Sequence, residues 1–196
     1  MGEIKSAAEI AREKLEKIGE PTEEERLKWQ YVPKGEKLAA RYIKENFNLA
    51  TELNSYEEKV RKHVIDGITG ILMRNIGLPQ NDMARRNTKK AMEGLKTVKS
   101  DKVAVENVFS KMRHVLDHYV EQGEQQRKQA YESLKAEFEA KIQQAIKQQT
   151  GVNAQMKIDV ARQPQFQEEW QKLQAQLDSQ YIQLLDEYKQ ELSAIA

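Results

Sequence analysis

The stretch WQKLQAQLDSQYIQLLDEYKQEL, residues 170–192, places large apolar side chains eleven residues apart. Trp170, Tyr181 and Leu192 form one such series. A repeat of eleven gives about 3.67 residues per turn, so these side chains follow a nearly straight stripe along an α-helix. The pattern therefore predicts a long amphipathic helix over residues 164–195.

A matching stripe lies upstream in residues 131–149, where apolar side chains recur at intervals typical of a helix. Apolar residues in a heptad rhythm precede it, from Val105 to Tyr119. An unbroken helix over 101–149 would be about 73 Å long, at about 1.5 Å per residue. The two stripes predict an antiparallel helical hairpin, a coiled-coil-like stalk with residues 150–163 as its connector.

Two helices bury only a narrow seam between them, whereas these stripes carry several large aromatic side chains. We therefore expect the stripe to contact its own chain and also a protein partner, with a homodimer of four stalk helices as the simplest assembly. The residues of this partner or oligomer stripe are Tyr131, Leu134, Phe138, Ile142, Trp170, Leu173, Leu177, Tyr181, Leu184, Tyr188 and Leu192.

The chain is expected to divide at about residue 100, into a head of shorter helices (1–100) and the hairpin (101–196). Its glutamines support two regions of different character, because 18 of the 20 fall between Gln122 and Gln190. The predicted fold class is therefore all-α, with a helical head followed by a long hairpin.

Two local patterns in the head predict helix boundaries and packing. Thr22 followed by Glu25 is a capping box that begins a helix, and Pro33 is expected to end it, because proline disfavours helical geometry in the preceding residue. Gly67 and Gly70 lie inside the most apolar helical pattern, where each costs about 1 kcal/mol relative to alanine. Close approach of a neighbouring helix would compensate for that cost.

The composition excludes several classes of site. Charged residues make up 32% of the 196 and apolar residues 39%, with a mean hydropathy of -0.82, which suits long exposed helices. The absence of cysteine excludes disulfides, thiolate metal sites and thiol nucleophiles. With neither a secretory signal nor a long apolar run in the sequence, we expect a soluble, cytoplasmic protein.

Only one weak pattern suggests a metal site. His114 and His118 are four residues apart, so both imidazoles lie on one face of a helix, as in some zinc sites. No third ligand stands at a characteristic distance, and such pairs on exposed helices are usually solvated. No arrangement typical of a catalytic nucleophile or triad is present. We therefore expect neither enzymatic activity nor a cofactor.

A basic run offers a different hypothesis, because cations grouped on one side of a helix can bind phosphates. The alternative interpretation is a solvated face whose charge is balanced by acidic neighbours. The residues that could contact phosphate are Arg85, Arg86, Lys89, Lys90, Lys96, Lys99 and Lys102.

The connector contains QMKIDV, residues 155–160, in which apolar and charged residues alternate as in a strand. A lone strand is not stable. We favour an extended crossing, and leave open that Met156, Ile158 and Val160 pair across a dimer or with a partner's sheet.

The opening MGEIKSAAEIAREKLEKIGEPTEEERLKWQYVPKGEKLAARYI, residues 1–43, resembles the start of a family of bacterial helical proteins without an assigned function. The resemblance implies a bacterial, cytoplasmic setting and no particular activity. In outline, the hairpin also resembles the stalk subunits of rotary ATPases, a likeness of fold that transfers no residue roles.

Two hypotheses of function follow. The first is a non-enzymatic interaction or scaffold protein, which binds protein partners through the hairpin. The alternative is a nucleic-acid- or ribosome-associated factor that uses the basic face of residues 85–102.

Overall fold

The computed structural model describes residues 21–150 and 159–195, and all the regular structure in them is helical, which confirms the all-α class. The elements are α1 (Glu23–Lys44), α2 (Leu49–Asn54), α3 (Glu58–Arg74), α4 (Asp82–Val98), α5 (Lys102–Thr150), a 3-10 helix (Val160–Arg162) and α6 (Pro164–Ala194). The chain divides into two compact units between Arg74 and Asn75. None of the described helices is long and apolar enough to cross a membrane.

The first helix begins at the predicted capping box. The backbone N–H of Glu25 donates to Thr22 Oγ1 at 3.2 Å, and the backbone N–H of Thr22 donates to Glu25 Oε2 at 2.7 Å. These two bonds satisfy donors that the first turn of a helix leaves without partners.

The predicted end of this helix at Pro33 is wrong, since α1 continues through the proline to Lys44. Proline removes one helical hydrogen bond, whose acceptor would be the carbonyl of Trp29. Both Pro33 and Trp29 lie on the exposed side of α1, where water can reach that carbonyl. The opposite side of the helix buries Leu38 and Ala39, so packing outweighs the local cost of the proline.

Glycines allow α1 and α3 to approach closely within the first unit. A Cβ atom on Gly35 would lie 2.0 Å from the carbonyl oxygen of Val64, and one on Gly67 would lie 2.1 Å from that of Val32. No side chain fits at either position. The expected close approach is therefore found at Gly67, but not at Gly70, where a Cβ would meet nothing within 4 Å.

Ion pairs along this contact show that α1 and α3 run in the same direction. Glu23 pairs with Lys59 at 2.5 Å near the start of both helices, and Glu36 pairs with Arg74 at 3.4 Å further along both. The short helix α2 lies in the connection between them. These pairs are exposed, so they contribute little stability individually.

Helix α4 belongs to the second unit, so the division lies upstream of the expected boundary near residue 100.

Buried Thr88 on α4 holds the loop before the helix, because its Oγ1 accepts from Gly77 N and donates to Gly77 O, both at 3.1 Å. At the other end, Lys96 pairs with Glu106 on α5 at 2.6 Å. These long-range bonds could not be derived from periodicity.

Helices α5 and α6 pack in an antiparallel arrangement. Lys111 pairs with Glu191 at 2.9 Å, near the end of α6, whereas Phe138 lies 5.4 Å from the ring of Phe166, near its beginning. The helix α5 passes through Gly123 without interruption. The extended coiled-coil stalk with an eleven-residue period stays a prediction.

The most buried residues of α6 do not follow the eleven-residue period. Asp178, Leu185 and Leu192 are buried, seven residues apart, and Phe166 is buried near the start of the helix. An interval of seven residues between buried side chains is typical of a helix that packs along a second helix.

The strand pattern of the connector falls mostly outside the described residues, which do not include Met156 and Ile158. Val160 is described; it begins the 3-10 helix and is only 1% exposed.

Candidate functional site

The predicted stripe lies on facing parts of α5 and α6, and most of it is only half-buried. Tyr131 packs edge-on against Trp170, with ring centroids 5.1 Å apart, yet both side chains keep partial exposure. Leu192 is buried, whereas Leu184 is 40% exposed. The half-buried members are Tyr131, Leu134, Phe138, Ile142, Trp170, Leu173, Leu177, Tyr181 and Tyr188.

Part of the stripe lines a groove of about 490 Å³ between α5 and α6, which we call the neutral groove. Its apolar lining consists of Val115 on α5 and Leu173, Leu177 and Leu184 on α6. Its polar lining consists of His114, His118, Gln126, Gln176, Gln180 and Tyr181. Among the described residues that line it, none is Asp, Glu, Lys or Arg.

The two histidines of the candidate metal pair both line the neutral groove. His118 Nδ1 lies 3.0 Å from the hydroxyl oxygen of Tyr181, so these two side chains share a hydrogen bond between α5 and α6. Within residues 21–150 and 159–195, no group of three or more histidine or acidic side chains is placed to hold a metal ion. In that part of the chain, His114 and His118 therefore gain no third ligand.

A buried polar cluster lies beside this groove, centred on Asp178. The side chain of Gln80 donates to Asp178 Oδ2 at 3.1 Å, and Arg127 Nη1 lies 3.8 Å from Asp178 Oδ1. Arg127 also donates to the backbone carbonyl of Tyr119 at 3.2 Å, with its guanidinium 4.0 Å from the centre of the Tyr119 ring. Asp178 is buried, and the observed register of α5 and α6 places the guanidinium of Arg127 beside its carboxylate.

Gly123 provides room for this cluster within α5. A Cβ atom there would lie 3.0 Å from Arg127 Nη1 and 3.2 Å from the hydroxyl of Tyr181. A glycine in the middle of a long helix is unfavourable by about 1 kcal/mol relative to alanine. The missing side chain leaves space that the ends of the Arg127 and Tyr181 side chains occupy.

The cluster also changes the proton affinity of Tyr119. Burial raises the pKa of the Tyr119 hydroxyl above its ordinary value of 10.0, and the negative charge of Asp178 raises that pKa further. The positive charge of Arg127 partly opposes this effect.

We therefore expect the stability of the second unit to depend on pH in the alkaline range. The folded state holds the Tyr119 proton more tightly than the unfolded state, so the free energy of unfolding should fall as pH rises through about 10. Tyr119→Phe should reduce that fall. Urea denaturation followed by circular dichroism between about pH 9 and about pH 11 measures it. Tyr56→Phe in the first unit is the control, and the same slope in both variants would contradict the assignment.

The basic run does not form one continuous cationic face. Lys96 pairs with Glu106, and the ammonium group of Lys99 donates to the carbonyl of Ile195. Arg86 donates to the backbone carbonyl of Asp82 at 3.3 Å, one turn before it. Arg85, Lys89 and Lys102 are exposed, whereas Lys90 and Lys99 are half-buried.

Arg85 and Lys89 line a cleft of about 680 Å³ between α4 and α5, whose floor is apolar and includes Met92 and Phe109. The rim carries as many acidic as basic groups. The basic ones are Arg85, Lys89, Lys96 and Arg113, and the acidic ones are Glu93, Glu106, Asp117 and Glu121. With equal numbers of acidic and basic groups, the rim has no excess positive charge to attract phosphate.

Sequence reasoning missed the buried cluster and the seam that contains it. The spacing of seven between Asp178, Leu185 and Leu192 was a usable signal, and so was Gly123 inside a helical pattern. No signal in the sequence indicated the pairing of Arg127 with Asp178, because that pairing depends on the register of two helices.

Comparison with known proteins identifies one family. No curated protein and no solved structure matches the chain. One protein-family model matches residues 50–194, a range that contains the neutral groove and the buried cluster. The matched range differs from residues 1–43, on which the resemblance rests. The prediction that the chain belongs to a family without an assigned function is confirmed. The chain thus belongs to DUF6657, a family of unknown function.

Proposed function

We propose that the protein is a non-enzymatic interaction or scaffold protein, which binds protein partners through the hairpin of α5 and α6. The observation that carries this proposal is the stripe, whose large side chains keep partial exposure after the two helices have packed. Burial of apolar surface contributes about 25 cal/mol per Å². A partner that covers the stripe would gain that contribution.

The exposure continues along one part of α6. Leu184 is 40% exposed, and it follows half-buried Leu177 and Tyr181 at intervals of four and three residues, so the three side chains lie on one face of α6. Single exposed apolar side chains are ordinary on a protein surface, but a continuous row of them marks an interaction site. A second hairpin, giving four helices, is the simplest cover, and other protein partners remain part of the proposal.

A charge placed in the stripe should abolish partner binding. We expect Leu177→Asp and Leu184→Asp each to lower partner recovery at least about tenfold, because an unpaired carboxylate would be buried in the interface. The measurement is affinity isolation of the tagged chain from cell lysate, with bound proteins quantified by mass spectrometry.

The matched control is Ser179→Asp, which adds the same charge at an exposed position of α6 outside the neutral groove. Circular dichroism checks that all three variants keep their helices. Equal recovery of bound proteins by wild type and both leucine variants would refute the proposal.

The alternative function is a nucleic-acid- or ribosome-associated factor that uses the basic residues of 85–102. It is supported by Arg85 and Lys89, which are exposed on the same side of α4 beside the cleft. Treatment of half of each isolation with nuclease separates the two proposals. The alternative would be supported if the bound partners disappear after nuclease treatment. It also predicts that they disappear, without nuclease, from a variant in which Arg86, Lys89 and Lys90 are replaced by glutamate.

We further propose that the protein works in the bacterial cytoplasm. The absence of cysteine suits a reducing compartment, where disulfides do not form. The bacterial origin rests on the resemblance of residues 1–43.

A further inference from the structure

We infer that the neutral groove is the docking site for a second copy of this chain, so that two hairpins pack around a two-fold axis through the same face. This inference rests on the proposed function, because it names one partner that the hairpin binds.

The lack of charge in the groove favours a second copy over other partners. Of the chain's residues 32% are charged, yet none of the ten described residues that line the groove is. In a two-fold interface the same surface of both copies meets, so a face that carries one sign of charge meets like charges. A face without charges avoids that repulsion, and an acidic or basic partner would gain no ion pair from it.

The polar side chains of the groove can also form hydrogen bonds with the same set of groups on the second copy. The amides of Gln126, Gln176 and Gln180 each contain both donors and acceptors of hydrogen bonds. A neutral imidazole and a tyrosine hydroxyl have the same property, and His118 and Tyr181 already use it within one chain. Lysine and glutamate side chains, which donate only or accept only, could not bond to themselves in this way.

The apolar lining supplies the centre of such an interface. Leu173, Leu177 and Leu184 lie along one side of α6, with Val115 across from them on α5. Apolar centres surrounded by polar side chains are the usual anatomy of a protein interface. The cleft between α4 and α5 also has an apolar floor, but charged groups of both signs line its rim, whereas no Asp, Glu, Lys or Arg lines the neutral groove.

The test uses Leu177, which lies inside the α6 segment from Leu173 to Leu184. Wild type should sediment with the mass of a dimer, and Leu177→Glu and Leu177→Lys should each weaken self-association at least about tenfold, since both copies then carry the same charge in the groove. An equimolar mixture of the two variants should regain the dimer mass, because opposite charges then face each other. Sedimentation equilibrium of the full chain measures all three.

Ser179→Glu and Ser179→Lys are the matched controls and should keep the wild-type mass. A monomeric wild type at about 100 μM, where a dimer of micromolar Kd is formed, would overturn the inference. A dimer unaffected by either Leu177 variant, or a mixture that stays monomeric, would overturn it as well. If wild type is monomeric but still isolates partners that Leu184→Asp loses, only the second copy is wrong and the proposed function stands.

Discussion

Arg127→Met should destabilise the second unit by about 3 kcal/mol or more, because it leaves the carboxylate of Asp178 buried without its cation. The side chain of Asp178 is 6% exposed, and hydrogen bonds from Gln80 and Tyr119 leave its negative charge without a balancing cation. Arg127 also supplies the hydrogen bond to the Tyr119 carbonyl and the contact with the Tyr119 ring, so those contributions disappear too. The free energy of unfolding, from urea denaturation followed by circular dichroism, is the quantity to measure.

Replacing both partners should restore most of the loss. In Arg127→Met with Asp178→Leu, no charge is left in the cluster, and leucine at position 178 continues the buried series of Leu185 and Leu192. Exchange of a buried ion pair for apolar side chains is often neutral or stabilising. If the double variant were no more stable than Arg127→Met alone, the pair would not be the source of the effect.

Gly67→Ala should destabilise the first unit by about 2 kcal/mol or more, although alanine is the better helix former. Its Cβ would lie 2.1 Å from the carbonyl oxygen of Val32, so α1 and α3 would have to move apart. Overpacking of this kind typically costs about 1 to 3 kcal/mol, and the contact here is with backbone, which cannot turn away as a flexible side chain can. The shift in the denaturation midpoint of the first unit measures this effect.

Gly70→Ala is the matched control within the same helix. A Cβ atom there meets nothing within 4 Å, so only helix propensity changes, and we expect a gain of up to about 1 kcal/mol. The two substitutions are chemically identical and should have opposite signs. A stabilising Gly67→Ala would show that the two helices do not meet at this distance.

Helices could be predicted because their signals are local. The intervals between apolar residues predicted α5 and α6 with nearly the observed bounds, and Thr22 with Glu25 marked the start of α1. Pro33 was misleading, because a local rule gives no information on which side of a helix faces solvent. The stripe residues lie on α5 and α6, but which of them are most buried was not predictable, since that depends on the register and angle of the two helices.

Periodicity alone is sufficient for the helical class, the great length of α5 and the amphipathic character of α6, since each is a property of side chains close in sequence. The register of α5 against α6 is a property of the tertiary structure, because it brings together Arg127 and Asp178, which are far apart in the chain. Tertiary packing also placed α4 in the second unit and collected ten uncharged residues into one groove. A surface formed by two helices depends on the angle and offset between them. The spacing of apolar residues within either helix does not determine that angle or offset.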